Sequence, residues 1–187
     1  MLRPFLSDLD IWLIDEFGKK LKHKHIEPDS LVSYMARWVQ GAFDAANYSQ
    51  TDTTDNVRSV GYTNPPTIEA PATDASYGIV VGTGTTAVAI TQTKLVAQIG
   101  HGNGAGQLYH QAMGLSALTV SAPDAYFTVQ RTLNNNSGAD ITIEEVGLYV
   151  STQTNLWKIM FARDVTGGIL VANAKSFVGQ YTFKVTA

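Results

Sequence analysis

Residues 137–165, SGADITIEEVGLYVSTQTNLWKIMFARDV, decide the fold, because they predict two strands joined by a turn. Side chains two apart on a strand share one face of its sheet. Apolar side chains recur at this spacing through both strands, at Ile141, Ile143, Val146, Leu148, Val150, Trp157, Ile159 and Phe161. The apolar face changes side at Glu144 and Glu145. This change predicts either a β-bulge at that point or burial of both faces.

The chain is poor in charge. Only 16% of its 187 residues are charged, against about 25% in typical domains. Such a surface suits a chain that is partly covered by copies of itself or by partners, because interface cores are depleted of charge. A Thr-rich β protein with an ordinary surface explains the composition equally well.

The composition also argues against several classes of function. The net charge of −3 does not favour binding to nucleic acid or to an anionic membrane. The absence of cysteine excludes disulfide scaffolds and thiolate metal sites. No apolar run approaches the ~18 residues of a membrane helix. Acids interrupt the apolar N-terminal stretch, so we expect that the chain has no signal peptide and is made in a cytoplasm.

Residues 1–46 predict a hairpin followed by a helix. The hairpin occupies residues 1–27 with a turn near Gly18, and an amphipathic helix over residues 7–17 is the alternative. Its second half forms a basic patch, which fits either an acidic neighbour or a solvated face: Lys19, Lys20, Lys22, His23, Lys24 and His25. His23 and His25 share a strand face, but no third ligand is close in sequence, so we expect no metal site.

An apolar stripe predicts a helix within residues 27–46, with its body at 29–45. The stripe comprises Leu31, Tyr34, Met35, Trp38, Val39, Ala42 and Phe43. It packs either on the main domain or on a neighbouring subunit.

Residues 47–76 are polar and contain prolines, which predicts an extended arm or loop with a brief strand at 57–62. A loop of this length either wraps the surface or reaches another chain. The candidate interface residues are Tyr62, Asn64, Pro65 and Pro66 from the arm, together with His101 and Asn103 from the glycine-rich loop GHGNGAG at 100–106. His101 and His110 flank that loop, which we expect to be a mobile tip.

Residues 77–187 predict an antiparallel β-sandwich, jelly-roll-like, with about eight strands at spacings of about 8–15 residues. Besides the central pair, the predicted strands lie at 77–81, 94–99, 107–113, 115–121, 126–133, 169–171 and 177–186. GTGTT at 82–86 lacks the Gly-Lys-Ser/Thr ending and the helix of a phosphate-binding loop, so we expect no nucleotide site.

No arrangement of residues indicates catalysis, a cofactor or a metal, and we expect that the protein is not an enzyme. If the apolar face changes side at Glu144 and Glu145, one of the two carboxylates faces inward and needs a cation. We assign this role to Glu145, in a structural ion pair with Arg131 or Arg163 as the candidate partner.

Three segments in order carry a family resemblance. The first is IDEFGK at 14–19 leading into the helix at 31–43, and the second is YGIVVGTGTT at 77–86. The third runs from NSG at 136–138 through IEEVGLY at 143–149 and FARDV at 161–165 to the alternating C-terminal strand. Together they resemble accessory structural proteins of tailed bacteriophage virions, such as tail, neck, fibre-base or head-decoration components. Residues 47–76 and 100–106 lie outside the pattern.

The resemblance implies a non-enzymatic virion protein that is assembled in the host cytoplasm. Its expected partners are copies of itself, in a ring or a trimer, and other virion proteins. A carbohydrate- or host-surface-binding sandwich is the alternative. That function predicts an exposed aromatic cluster, whereas we expect Trp12, Trp38 and Trp157 to be buried.

Overall fold

The computed structural model describes residues 6–26, 33–61 and 63–186, and it is mainly β, with 52% strand and 7% helix. The elements in chain order are β1 Leu6–Ile14, β2 Lys20–Ile26, α1 Ser33–Asp44, β3 Asn47–Thr51, β4 Val57–Gly61, β5 Pro66–Thr67, β6 Gly78–Gly82, β7 Tyr109–His110, β8 Gly114–Leu115, β9 Thr119–Ser121, β10 Asp124–Asn134, β11 Ile141–Thr152, β12 Lys158–Val171 and β13 Ser176–Thr186.

Two antiparallel sheets form a sandwich, so the predicted fold class is confirmed. Sheet A has the order β2-β1-β13-β10, and the short strands β7, β8 and β9 pair with the far side of β10. Sheet B has β11 at its centre, with β12 on one side and β5 and β6 on the other. One core cluster joins the inner faces of both sheets. Among the described residues, no helix has the length and apolar character needed to cross a membrane.

The chain passes between the sheets twice at the same corner. β10 leads to β11, and β12 leads back to β13, which pairs with β10 along its whole length. Asn135 holds this corner together, because its buried amide donates to the carbonyls of Ala139 (2.8 Å) and Val171 (2.7 Å) and its Oδ1 accepts from Ser137 N.

The central stretch combines both of the predicted alternatives. The register of β11 against β12 shifts between Ile143 and Glu145, which marks a bulge. Beyond it, every residue from 145 to 152 is buried. The second face is covered from outside by residues 83–97, since Leu95 donates its N–H to the hydroxyl of Tyr149 and its side chain lies over Gly147.

The N-terminal hairpin forms as β1 and β2, so the alternative helix over residues 7–17 is wrong. Helix α1 packs on sheet B, where Trp38 lies 6.4 Å from Phe161 between ring centres. The predicted helix residues 29–32 lie outside the described residues. The last residue of the predicted apolar stripe, Phe43, is not buried: its exposed fraction is 89%.

Residues 47–61 are a hairpin and not the extended arm that the sequence predicts. The turn is held by the buried Asp52, whose carboxylate accepts from Thr54 N (2.8 Å), Asn56 N (3.0 Å) and Arg58 Nε (2.6 Å). Burial opposes ionisation of Asp52, but these hydrogen bonds outweigh it and hold its pKa at about 2. Val60 belongs to the core. The polar composition of this segment did not predict a hairpin, because the turn depends on the hydrogen bonds of Asp52, whereas the buried side chain of Gln50 has no partner among the described residues.

Several predicted strands differ in the structure. Residues 94–99 form no strand, because they cover sheet B from outside and make a single bridge, Gln98 to Gly82. Of residues 107–113 only β7 is strand, and 115–121 is divided between β8 and β9. Residues 169–171 do not begin a new strand, since β12 continues through Gly167 and Gly168, which take positive φ angles of 65° and 82°.

Candidate functional site

Glu145 and Arg163 form a completely buried ion pair on the outer face of sheet B. Arg163 Nε donates to Glu145 Oε2 at 2.7 Å, and both side chains are 0% exposed. The bulge at the start of β11 turns Glu145 to this face, and Arg163 lies opposite Gly147 on β12. The structure thus brings together two of the three charged residues that the sequence singled out.

The carboxylate of Glu145 also holds the two ends of the loop formed by residues 83–97. Its Oε1 accepts from Gly84 N (3.1 Å) and Ala97 N (2.8 Å), and its Oε2 accepts from Val96 N (3.1 Å). Arg163 reaches the middle of the same loop, where it donates to the Thr86 carbonyl (2.9 Å) and to Gln92 Oε1 (3.1 Å). The pair therefore fastens a loop that is otherwise irregular.

Glycine is required beside this carboxylate for reasons of space. A Cβ at Gly82 or Gly84 would lie 2.5 or 2.6 Å from Glu145 Oε1, closer than any unbonded contact allows. Backbone N–H groups of a Gly-rich turn are anion ligands. In the GTG sequence at 82–84, the N–H of Gly84 thus binds an anion, and that anion is the protein's own Glu145.

Arg131 is not a partner of Glu145. It lies on the inner face of β10, and its guanidinium donates to five carbonyl oxygens, of Pro71, Asp74, Tyr77, Ile79 and Gln111, at 2.5 to 3.2 Å. Burial lowers the pKa of Arg131 to about 10, which leaves it charged at neutral pH. Arg131 therefore ties residues 71–79 to sheet A, a contact that no strand pattern predicts.

His110 is buried and not at a mobile loop tip. Its Nδ1 lies 2.9 Å from the Leu108 carbonyl, its backbone N–H donates to His101 Nδ1 (3.2 Å), and its Nε2 has no protein partner. Burial, and then the nearby charge of Arg131, lower the pKa of His110 to about 4. His110 is therefore neutral in the folded protein at neutral pH.

The other predicted interface residues are mostly engaged within the chain. Asn64 is buried, and its Oδ1 accepts from Asn155 Nδ2 at 3.1 Å. Pro66 pairs with Thr152 in sheet B, and His101 is half-buried against Tyr109. Pro65 and Asn103 are exposed. Tyr62 lies outside the described residues.

The basic patch of β2 meets acids of its own chain. His23 Nε2 and His25 Nδ1 lie 2.8 and 3.1 Å from the same oxygen of Asp10, and His25 Nε2 lies 3.4 Å from Asp8. Sequence reasoning missed these acids because they lie on the neighbouring strand β1. No group of His, Cys, Asp or Glu within residues 6–26, 33–61 and 63–186 is arranged to hold a metal ion.

The three tryptophans are half-buried, so the expectation that they are buried is met only in part. The ring of Trp12 stacks on His23 at 5.3 Å, and the ammonium of Lys20 lies over it. Trp157 lies under the guanidinium of Arg58, and Trp38 packs on the core. Each ring is thus covered in part by its own chain.

A depression of about 380 Å³ lies where the β1–β2 turn meets the ends of β10 and β13. Its lining includes the uncharged polar residues Thr132, Asn134 and Ser176, with the two acids Asp15 and Glu16 on the side of the turn. Ser176 Oγ donates to Asn134 Oδ1 at 2.9 Å. The arrangement offers hydroxyl and amide groups to a ligand.

We predict that Glu145→Ala lowers the free energy of unfolding by about 3–5 kcal/mol, because it leaves Arg163 buried without its partner. Urea denaturation measures the change. Glu144→Ala, at the half-buried neighbour, is the matched control and should change stability by about 0.5 kcal/mol or less. Equal, small effects of both substitutions would contradict the assignment.

Gly84→Ala should destabilise the protein by about 1–3 kcal/mol, because the new methyl group overpacks Glu145 and Val96. Gly100→Ala is the control, since a Cβ there meets nothing within 4 Å. Thermal and urea denaturation of both variants give the comparison. A Gly84→Ala protein as stable as the control would show that the loop does not approach the carboxylate closely.

Stability should fall as the pH drops from 6.5 to 4, because the unfolded chain then protonates His110 and the folded chain does not. The loss is roughly 3 kcal/mol, at about 1.4 kcal/mol per pKa unit. His110→Gln should remove this part of the slope, and His25→Gln, at an exposed ring, should keep it. Urea denaturation at several pH values tests this, and an unchanged slope in His110→Gln would refute it.

The chain matches no protein-family model, and no curated protein or solved structure matches it significantly.

Proposed function

We propose that this protein is a non-enzymatic structural component of a tailed-phage virion, which associates with copies of itself and docks on other virion proteins. A place in the tail, neck or baseplate fits better than capsid decoration. The proposal is supported chiefly by the structural role of the sequence motifs that resemble the virion proteins. Gly84, Glu145 and Arg163, which belong to those motifs, are all used to fasten one loop to sheet B.

The outer face of sheet A supports the proposal. Helix α1 and the β3–β4 hairpin lie over sheet B, whereas Thr128, Gln130, Thr132 and Gln180 keep exposed surface on sheet A. These side chains form hydrogen bonds without the desolvation cost of charges. This uncharged polar strip on β10 and β13, which is bordered by Asp8 and Asp10 on β1, suits contact with another protein.

Labelling of particles tests the proposal. An antibody raised against the purified protein should bind at one fixed position on tailed particles whose genome encodes the chain. The same antibody after absorption with the purified protein is the control. Absence of the protein from both intact and disrupted particles would reject the proposal.

Carbohydrate binding is the second candidate, and the depression at Thr132, Asn134 and Ser176 favours it. Sugars bind to such hydroxyl and amide groups, usually beside an aromatic platform. The nearest tryptophan on this face, Trp12, already contacts His23 and Lys20, which argues for the structural role. A stable monomer that binds a polysaccharide, and loses that binding in Asn134→Ala, would favour carbohydrate binding instead.

A further inference from the structure

Residues 114–123, GLSALTVSAP, are ten consecutive exposed residues without a charge. Three large apolar side chains lie among them, and Leu115, Leu118 and Val120 are 45%, 65% and 75% exposed. We call this segment the uncharged edge. Such exposure needs an explanation, because the removal of apolar surface from water is favourable.

The uncharged edge borders sheet A. β8 pairs with Val129 and Gln130 of β10, and β9 pairs with residues 124–126. No described strand pairs with the other side of β8 or β9. A sheet edge of this kind presents unpaired N–H and C=O groups, and proteins usually protect it with Lys, Pro or a covering element. The uncharged edge contains no lysine, and its one proline, Pro123, is its last residue.

Apolar surface continues from the edge onto the sheet. Val120 lies opposite Ala125, which lies opposite Val185 on β13, and Val185 is 46% exposed. These residues form one row across three strands. A strand added along the edge would therefore bury side chains as well as pair the backbone.

The charge pattern identifies the partner that fits. A strand pairing with the uncharged edge must bury no charge, because an unpaired buried charge is costly. The opposite outer strand of sheet A, β2, carries Lys20, Lys22 and Lys24 and is a poor match. A second copy of the uncharged edge meets the requirement, and identical segments pair around a two-fold axis.

We propose that residues 114–121 pair antiparallel with the same residues of a second copy, so that sheet A continues from one protomer into the next. The inference rests on the self-association in the proposed function and names its surface. The contact makes a dimer, and a ring or trimer would need a further interface.

Sedimentation of the full chain tests the surface. The wild-type protein should form a dimer, and Leu118→Lys and Val120→Lys should raise its dissociation constant about ten-fold or more, because a lysine on the edge blocks pairing. Leu156→Lys and Leu170→Lys, at positions 66% and 54% exposed away from this edge, are the matched controls and should still dimerise. Circular dichroism confirms that each variant is folded.

Cross-linking locates the axis, because the chain has no cysteine of its own. Single cysteines placed along 114–121 should give a disulfide-linked dimer most readily at one position, with less on both sides. A mixture of two single-cysteine variants equally far on either side of that position, such as Gly114→Cys and Val120→Cys for an axis at Ala117, should give the mixed dimer. Cross-linking of Leu118→Cys to His23→Cys would instead place β2 of a neighbour at the edge and overturn the inference.

The remaining outcomes separate the two proposals. If the protein forms an oligomer whose dissociation constant the lysine substitutions do not change, the uncharged edge is not the interface. Self-association, as stated in the proposed function, would still hold. A monomer at all concentrations would overturn both this inference and the self-association in the proposed function.

Discussion

The outer layer of sheet B depends on one buried carboxylate. Glu145 is fully buried and receives four N–H groups, three from the backbone of residues 84–97 and one from Arg163. A buried carboxylate is stable only when its charge is paired and its oxygens are hydrogen-bonded. The same contacts that satisfy Glu145 also fold the loop over sheet B. The ion pair and the loop therefore require each other.

This constraint divides the molecule into a covered sheet and an open one. The loop, helix α1 and the β3–β4 hairpin lie over sheet B, so β11 is buried on both faces. Sheet A keeps one face toward solvent, where Thr and Gln of β10 and β13 lie in rows with Asp8 and Asp10 of β1. Three charged side chains, Glu145, Arg163 and Arg131, are buried and hold loops against the two sheets.

Strand alternation predicted most of the sandwich, because β10 and β13 bury mainly one face in the ordinary way. The same pattern failed where tertiary contacts decide. Leu95 and Ile99 alternate like strand residues but pack on sheet B from outside, and Asp52 makes a hairpin from a segment that looks like an arm. The change of apolar face singled out Glu145, but could not choose between two arginines. That choice depends on the bulge and on the register of β12.

Hydrogen exchange of the backbone amides tests the central claim most directly. In the wild-type protein the amides of Gly84, Val96 and Ala97 should be protected, because each donates to Glu145. In Glu145→Gln these three amides should exchange faster, while Ile99, whose amide donates to the Val81 carbonyl, should keep its protection. Unchanged protection at all four positions would mean that the carboxylate does not hold the loop, and would contradict the account.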